Sequence, residues 1–374
     1  MIACFAKHDR ASVLFSELRK LNPAFKDIGV AGPDRSVVYL SALLSIRPNY
    51  RQFYTDTYFS PFVARNMEKK GCELLAHHPE ASAVLYWGAM NFPMDLKQCE
   101  LPYCIITDGP YDPDDRTYPV EWKPRRWSTN YFERQRRIYR GAEHVFTLSE
   151  WAREKLISVH NLPPEQVTRM GWGPMHAGGT PGFEMERSGY FLSVGNEWAR
   201  KGMDCVADAG ARFHRKYPEA RTIIVGNPRG LKIPTMPGVT QIPNALPGSE
   251  IQPLIANARC LIIGSRFDAS PHVAFEALQA GTPVIGTAVA GIPEAVQEPN
   301  GGYVFPVGDV VALVASMEKI WTANVQSQRE SAYRVYQQSG GWSGCADQED
   351  AVSAGDSDGP NDGNHGLGAA VEPG

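Results

Sequence analysis

The chain has 374 residues, 43% of them hydrophobic and 21% charged, with a formal net charge of −4 at pH 7. That length exceeds one ordinary core and predicts two domains, while mild acidity excludes a global attraction to nucleic acid or acidic membranes. No apolar run approaches the roughly 18–20 residues that cross a bilayer, and MIACFAKHDR carries no apolar leader core. The seven cysteines are scattered, odd in number and lack a CxxC pair, which fits a reducing, cytoplasmic location.

In chain order, the β-branched or aromatic runs Ala83–Tyr86, Tyr103–Thr107 and His144–Leu148 predict buried strands. Asp108 follows the second of them, at a loop position where open α/β sheets place site residues; it either hydrogen-bonds a substrate hydroxyl or caps the turn. Asp112-Pro113-Asp114-Asp115 has the DxD spacing of a metal-binding pair, but such Pro-Asp runs are ordinarily turns. From about Thr129 to Arg140 a basic amphipathic helix is predicted, closed by Gly141. Its arginines, with Arg125 and Arg126 before it, suit a solvated face, an anionic membrane surface or a phosphorylated acceptor. Ser149 heads the next helix as a natural N-cap.

Gly171–Gly182, reading GWGPMHAGGTPG, is the best linker in the sequence and places a domain boundary near Gly178. Beyond it the alternation becomes regular: Tyr190–Val194, Thr222–Val225, Leu261–Ile263 and Val284–Ile285 are short apolar runs, each followed by glycine and a polar or helical segment. Continuous apolar strands of this kind belong to a parallel sheet covered on both faces. The expected division is 1–177, 178–338 and a tail 339–374. That tail holds nine glycines and seven acidic residues with no Lys or Arg, and is expected to lack a fold.

The segment 267–296 reads FDASPHVAFEALQAGTPVIGTAVAGIPEAV. Asp268 or Ser270 is expected to cap a helix running to Ala280, with Gly281 as its left-handed terminator. Such a helix start offers amides and a positive dipole end to phosphate, and Glu276 offers two acceptors to a ribose diol. Asp268, then Glu276-Ala277, then Gly281-Thr282-Pro283-Val284 and Gly291-Ile292-Pro293-Glu294 resemble the retaining group 1 (family 4) glycosyltransferases. That family has the GT-B fold, an α/β architecture of two facing Rossmann-like domains. The resemblance covers Tyr190 to Ile320.

The resemblance implies that Asp268 faces the donor sugar and Glu276 holds the nucleotide ribose. Lys201, in Arg200-Lys201-Gly202, neutralises the donor diphosphate. Gly195 and Gly226 end the first two strands beside the donor, and Ser270, His272 and Val273 line the helix start. Asn196 stands where the family usually has arginine, and Arg200 could lend that charge from elsewhere. Asp108 neighbours a family histidine that contacts the sugar, and Ser149 borders the cleft on the acceptor side. The implied activity is transfer from a nucleoside-diphosphate sugar to a glycan, lipid-linked or small-molecule hydroxyl, without metal or cofactor and without a nucleic-acid partner. A nucleotide-sugar epimerase and a nucleotide-sugar-binding protein without turnover remain as alternatives. A glycine-rich loop near residue 10, usual in the family, is absent.

Overall fold

The computed structural model describes residues 1–6, 12–29, 33–46, 50–88, 100–115, 123, 125–174 and 189–339. The expected boundary near Gly178 and nearly all of the expected tail lie outside them. The first half alternates strand and helix. It runs β1 (Ile2–Ala6), α1 (Ser12–Leu21), β2 (Phe25–Gly29), α2 (Arg35–Leu44), α3 (Tyr50–Tyr58), α4 (Pro61–Ala76) and β3 (Ala83–Trp87). It continues with β4 (Tyr103–Thr107), α5 (Ser128–Arg140), β5 (His144–Thr147), α6 (Glu150–His160) and β6 (Val167–Arg169).

The second half runs β7 (Tyr190–Val194), α7 (Met203–Lys216), β8 (Arg221–Val225), β9 (Val239–Ile242), α8 (Gly248–Asn257) and β10 (Cys260–Ile263). After these come α9 (His272–Gln279), β11 (Val284–Thr287), α10 (Ile292–Val296), β12 (Gly302–Phe305), α11 (Val310–Thr322) and α12 (Val325–Ser339).

Each half forms a six-stranded sheet, ordered β2-β1-β3-β4-β5-β6 and β12-β11-β10-β7-β8-β9, and every paired strand is parallel. Side chains alternate between two buried faces, as strand pleating requires. In the first sheet Cys4, Leu85, Ile106 and Phe146 enter one apolar cluster, while their neighbours Ala3, Val84, Ile105 and Val145 enter another. In the second sheet Leu192, Val225 and Leu261 face the first of these clusters, and Phe191, Ile224 and Cys260 face a third. One apolar cluster is therefore shared by both halves.

The strands expected at Ala83, Tyr103, His144, Tyr190, Thr222, Leu261 and Val284 are all present. The helix expected from Asp268 begins later, at His272. Pro271 occupies its N-cap position without a side-chain cap, so neither Asp268 nor Ser270 caps it. Its end is as expected, with Gly281 at φ 66°. The helix expected from Thr129 begins one residue earlier and buries Tyr131, Gln135, Ile138 and Tyr139.

Candidate functional site

Local chemistry builds the donor-side cluster. Gly195 follows the end of β7, and its lack of a side chain leaves room for the Lys201 stem: a Cβ there would stand 3.1 Å from Lys201 Cγ. The Gly202 backbone, at φ 62°, passes so close to Gly264 that a Cβ would meet its carbonyl oxygen at 1.9 Å. Lys201 is thereby held between β7 and the loop after β10, where its ammonium donates to the Asp268 carboxylate. The two side chains are 16% and 12% exposed. Burial raises the Asp268 carboxyl, but Lys201 beside it, then Arg200 and His272, more than offset this and hold it below the ordinary value.

Arg200 acts on Asp268 through its charge. Its Nη1 donates to the Phe267 carbonyl at 3.1 Å and its Nε to Glu197 at 3.0 Å, fixing the loop that carries Asp268. Asn196 Oδ1 accepts from the Asn227 amide at 2.7 Å, bracing the turn that follows β8 and Gly226. At the start of α9, His272 N–H donates to Ser270 O and Ala274 N–H to Pro271 O, so part of the expected free-amide cradle is satisfied internally. His272 Nδ1 lies 3.1 Å from the Gly173 carbonyl, tying this turn to the first half. Val273 is half-buried, and the Ser270 hydroxyl is buried without a hydrogen-bond partner. Glu276 is buried at 5% exposure rather than solvated.

On the opposite side, Asp108 is exposed at the end of β4, and the Gly109 amide is satisfied by Thr107 Oγ1 at 3.2 Å. Gly109 lies against the Trp151 indole, 3.0 Å from an added Cβ, and Trp151 meets the Phe267 ring edge-on at 5.7 Å. An aromatic bridge thus brings the Asp108 loop to the residue preceding Asp268. Ser149 is fully buried, and its Oγ accepts from Ala152 N–H at 3.1 Å, which is the capping role. The next two amides, of Glu150 and Trp151, donate to the two oxygens of Glu294, both at 2.8 Å. Glu294 belongs to the Gly-Ile-Pro-Glu turn of the second half, and Arg169 Nε stands 3.7 Å from it. Trp151 and Glu294 were not assigned roles from the sequence; the motif marked Glu294, but only the fold reveals its reach.

The DxD segment is a turn. Asp112 Oδ1 accepts from the amides of Asp114 and Asp115, and Lys155 pairs with Asp112 at 3.2 Å and Asp115 at 2.8 Å. Among the described residues no cluster of three His, Cys, Asp or Glu has metal-holding geometry. The arginines of α5 are largely engaged: Arg134 with Glu68 at 2.6 Å, Arg136 with Glu133 at 3.4 Å, and Arg140 Nε with the His160 carbonyl at 3.2 Å. A structural helix face accounts for them.

Two parallel α/β halves thus meet around Lys201, Asp268, Trp151 and Glu294. Residues 188–323 match the family described as Glycosyl transferases group 1. A Salmonella typhimurium protein described as a colanic acid biosynthesis glycosyltransferase, WcaL, is 23% identical over 217 residues, 53% of this chain. The match spans about half the length of that relative, 52%. Among solved structures, a sucrose-phosphate synthase from Thermosynechococcus elongatus superposes with a TM-score of 0.68 at 15% identity, over 94% of this chain and 98% of that one. An α,α-trehalose-phosphate synthase (UDP-forming) from Burkholderia xenovorans gives 0.65 at 9% identity, over 94% and 98%. These likenesses give the fold as GT-B.

Proposed function

We propose that the chain is a glycosyltransferase that moves a sugar from a nucleoside-diphosphate donor to a hydroxyl acceptor, with retention of anomeric configuration and without a metal. The observation that carries this reading is the largely buried Lys201–Asp268 pair, set between β7 and α9 within the segment that matches the group 1 family. Lys201 would stabilise the departing diphosphate, as fixed cations do in place of a divalent ion. Asp268 would turn from Lys201 to a hydroxyl of the donor sugar, and Glu276 would accept from the ribose. With no second carboxylate assigned as nucleophile, a front-face course suits the site: the bond from the anomeric carbon to the diphosphate breaks, the acceptor oxygen bonds on the same face, and its proton passes to the leaving phosphate. Asp108 and Trp151 would flank the acceptor.

Binding without turnover is the second reading. It is favoured by Asn196, whose carbonyl oxygen is spent on Asn227 where the family has a cation. Thermal-shift titration with UDP, GDP and ADP, followed by product analysis with the matching sugar donors and an excess of chelator, tests both. A bound nucleotide with an α-configured product supports transfer by retention; binding without hydrolysis or transfer supports the second reading. Binding of no nucleotide refutes both, and loss of turnover with chelator refutes the metal-free course.

A further inference from the structure

The α2 helix buries one face and leaves an unusually apolar one in water. Val37 and Val38 pack toward Val63 and Met67 of α4, and Ser41 is fully buried. Along the outer side run Tyr39 (69% exposed), Leu40 (51%), Leu43 (67%) and, just past the helix, Ile46 (72%). Phe62 on α4 adds a fifth exposed large side chain. Scattered surface leucines need no explanation, but Tyr39, Leu40 and Leu43 share one side of α2 and Ile46 follows just past its end.

The rim of this stripe is cationic. Arg35 opens α2, Arg65 and Lys69 lie on the exposed side of α4, and Arg125 and Arg126 precede α5. The Arg126 guanidinium donates to the Leu44 carbonyl and stands 5.1 Å over the Trp127 ring, which meets Phe62 edge-on at 6.1 Å. The Arg126 contact joins the end of α2 to the approach to α5, and the Trp127–Phe62 contact joins α4 to both. Nearby carboxylates are engaged: Asp34 with Lys70 at 2.6 Å, Glu68 with Arg134 at 2.6 Å, and Asp56 as acceptor of the Arg126 amide at 3.1 Å. Among the described residues, Glu73 lies 3.8 Å from Lys69 and the buried Asp56 carboxylate faces the Arg126 backbone, which leaves the five rim cations in excess.

We infer that this face of α2 and α4 docks on an anionic lipid surface, with the apolar stripe entering the headgroup boundary and the arginine rim contacting lipid phosphates. Apolar side chains at the centre with cations around them suit an interfacial helix. A second copy of the chain fits less well, because a self-paired face would set arginine against arginine. No helix among the described residues is long and apolar enough to cross a membrane, so the contact is peripheral. The face is continuous with the Asp108 loop: Ser128, next to Trp127, lies 3.0 Å from the Tyr111 hydroxyl, and the Tyr111 amide donates to Gln135 at 3.0 Å. It lies on the half opposite Lys201 and Asp268, and lipid binding does not depend on catalysis.

The test is flotation of the full chain with phosphatidylcholine vesicles, with and without phosphatidylglycerol, at low and high salt. Expected is binding that requires phosphatidylglycerol and weakens with salt. The exposed double substitution Arg35→Glu/Arg65→Glu should lower partitioning by more than tenfold, from roughly fivefold per cation at an anionic surface. Leu43→Ser/Ile46→Ser should weaken it at either salt concentration, with the melting temperature kept within a few degrees as proof of folding. No flotation of the wild type, equal flotation on neutral vesicles, or indifference to both double substitutions overturns the proposal. So does self-association that Leu43→Ser/Ile46→Ser abolishes while vesicle binding persists.

Discussion

Replacing Lys201 by Met removes the ammonium and keeps most of the aliphatic stem that lies across Gly195. Asp268 would then be a largely buried carboxylate whose nearest remaining cation, Arg200, is committed to the Phe267 carbonyl and Glu197. Breaking one side of a buried pair costs about 3–5 kcal/mol, and the partial exposure here argues for about 3. For a chain of this size each kcal/mol moves the melting temperature by about 1–2 °C, so scanning calorimetry at pH 7 should find a fall of about 3–6 °C. In the wild type the folded Asp268 pKa lies below its unfolded value. Its contribution is complete above the unfolded value and is lost as pH falls through the folded one. In the variant only Arg200 and His272 still oppose burial, and the folded pKa rises. The variant should therefore recover part of its deficit as pH drops through the carboxylate range, and Lys201→Met/Asp268→Asn should recover more. A variant as stable as the wild type at pH 7, or a double variant no better than the single one, refutes the reasoning.

Glu276→Ala should lower nucleotide affinity at least tenfold by calorimetric titration, since hydrogen bonds to a charged acceptor are worth about 1.5–3 kcal/mol each, while melting shifts little; unchanged affinity removes the ribose assignment. Glu294→Gln keeps shape but offers one good acceptor to two amides. It should cost about 1–2 kcal/mol, read as a drop of a few degrees in melting temperature, and an unshifted melt would show the contact to be idle. His160 is fully buried, stacked on Phe132 with ring centroids 4.9 Å apart, and burial, then Arg136, depress its pKa to about 4. Its folded value lies below the unfolded one, so the unfolded chain binds the extra proton and stability should fall by up to about 3 kcal/mol between pH 6.5 and 4. Denaturant titrations of His160→Leu should lack that slope; a slope identical to the wild type excludes His160 as its source.

The second half was the more legible part because β7, β8, β10 and β11 are largely buried and read as apolar runs followed by glycine, whereas β9, with no fully buried residue, and β12 gave no such run. β1, β2 and β6 carry polar or small residues, Lys26, Asp27 and Thr168 among them, and gave no such run. The α9 boundary was misplaced because Asp268 and Ser270 look like caps by type, while Pro271 and the loop held by Arg200 delay the helix to His272. Lys201 and Asp268 were each assigned from the motif, but their pairing depends on the close passage of Gly202 by Gly264, which no local pattern encodes. Ser149 followed the local rule fully, its hydroxyl spent on capping α6. Trp151 escaped notice because a lone aromatic after a cap has many uses, and only the packing against Gly109 and Phe267 selects one.

Glu294 has a consequence for how the halves communicate. α10, which carries it, follows β11 and packs against α9, the helix of Glu276. The carboxylate at the start of α10 grips two amides at the start of α6, so one short turn fastens the α9–α10 corner of the second half to the first. Were a ligand to shift the first turn of α9, the Gly-Ile-Pro-Glu turn would carry that shift to α6, and anything that favours one setting of this contact would favour the ligand that shares it.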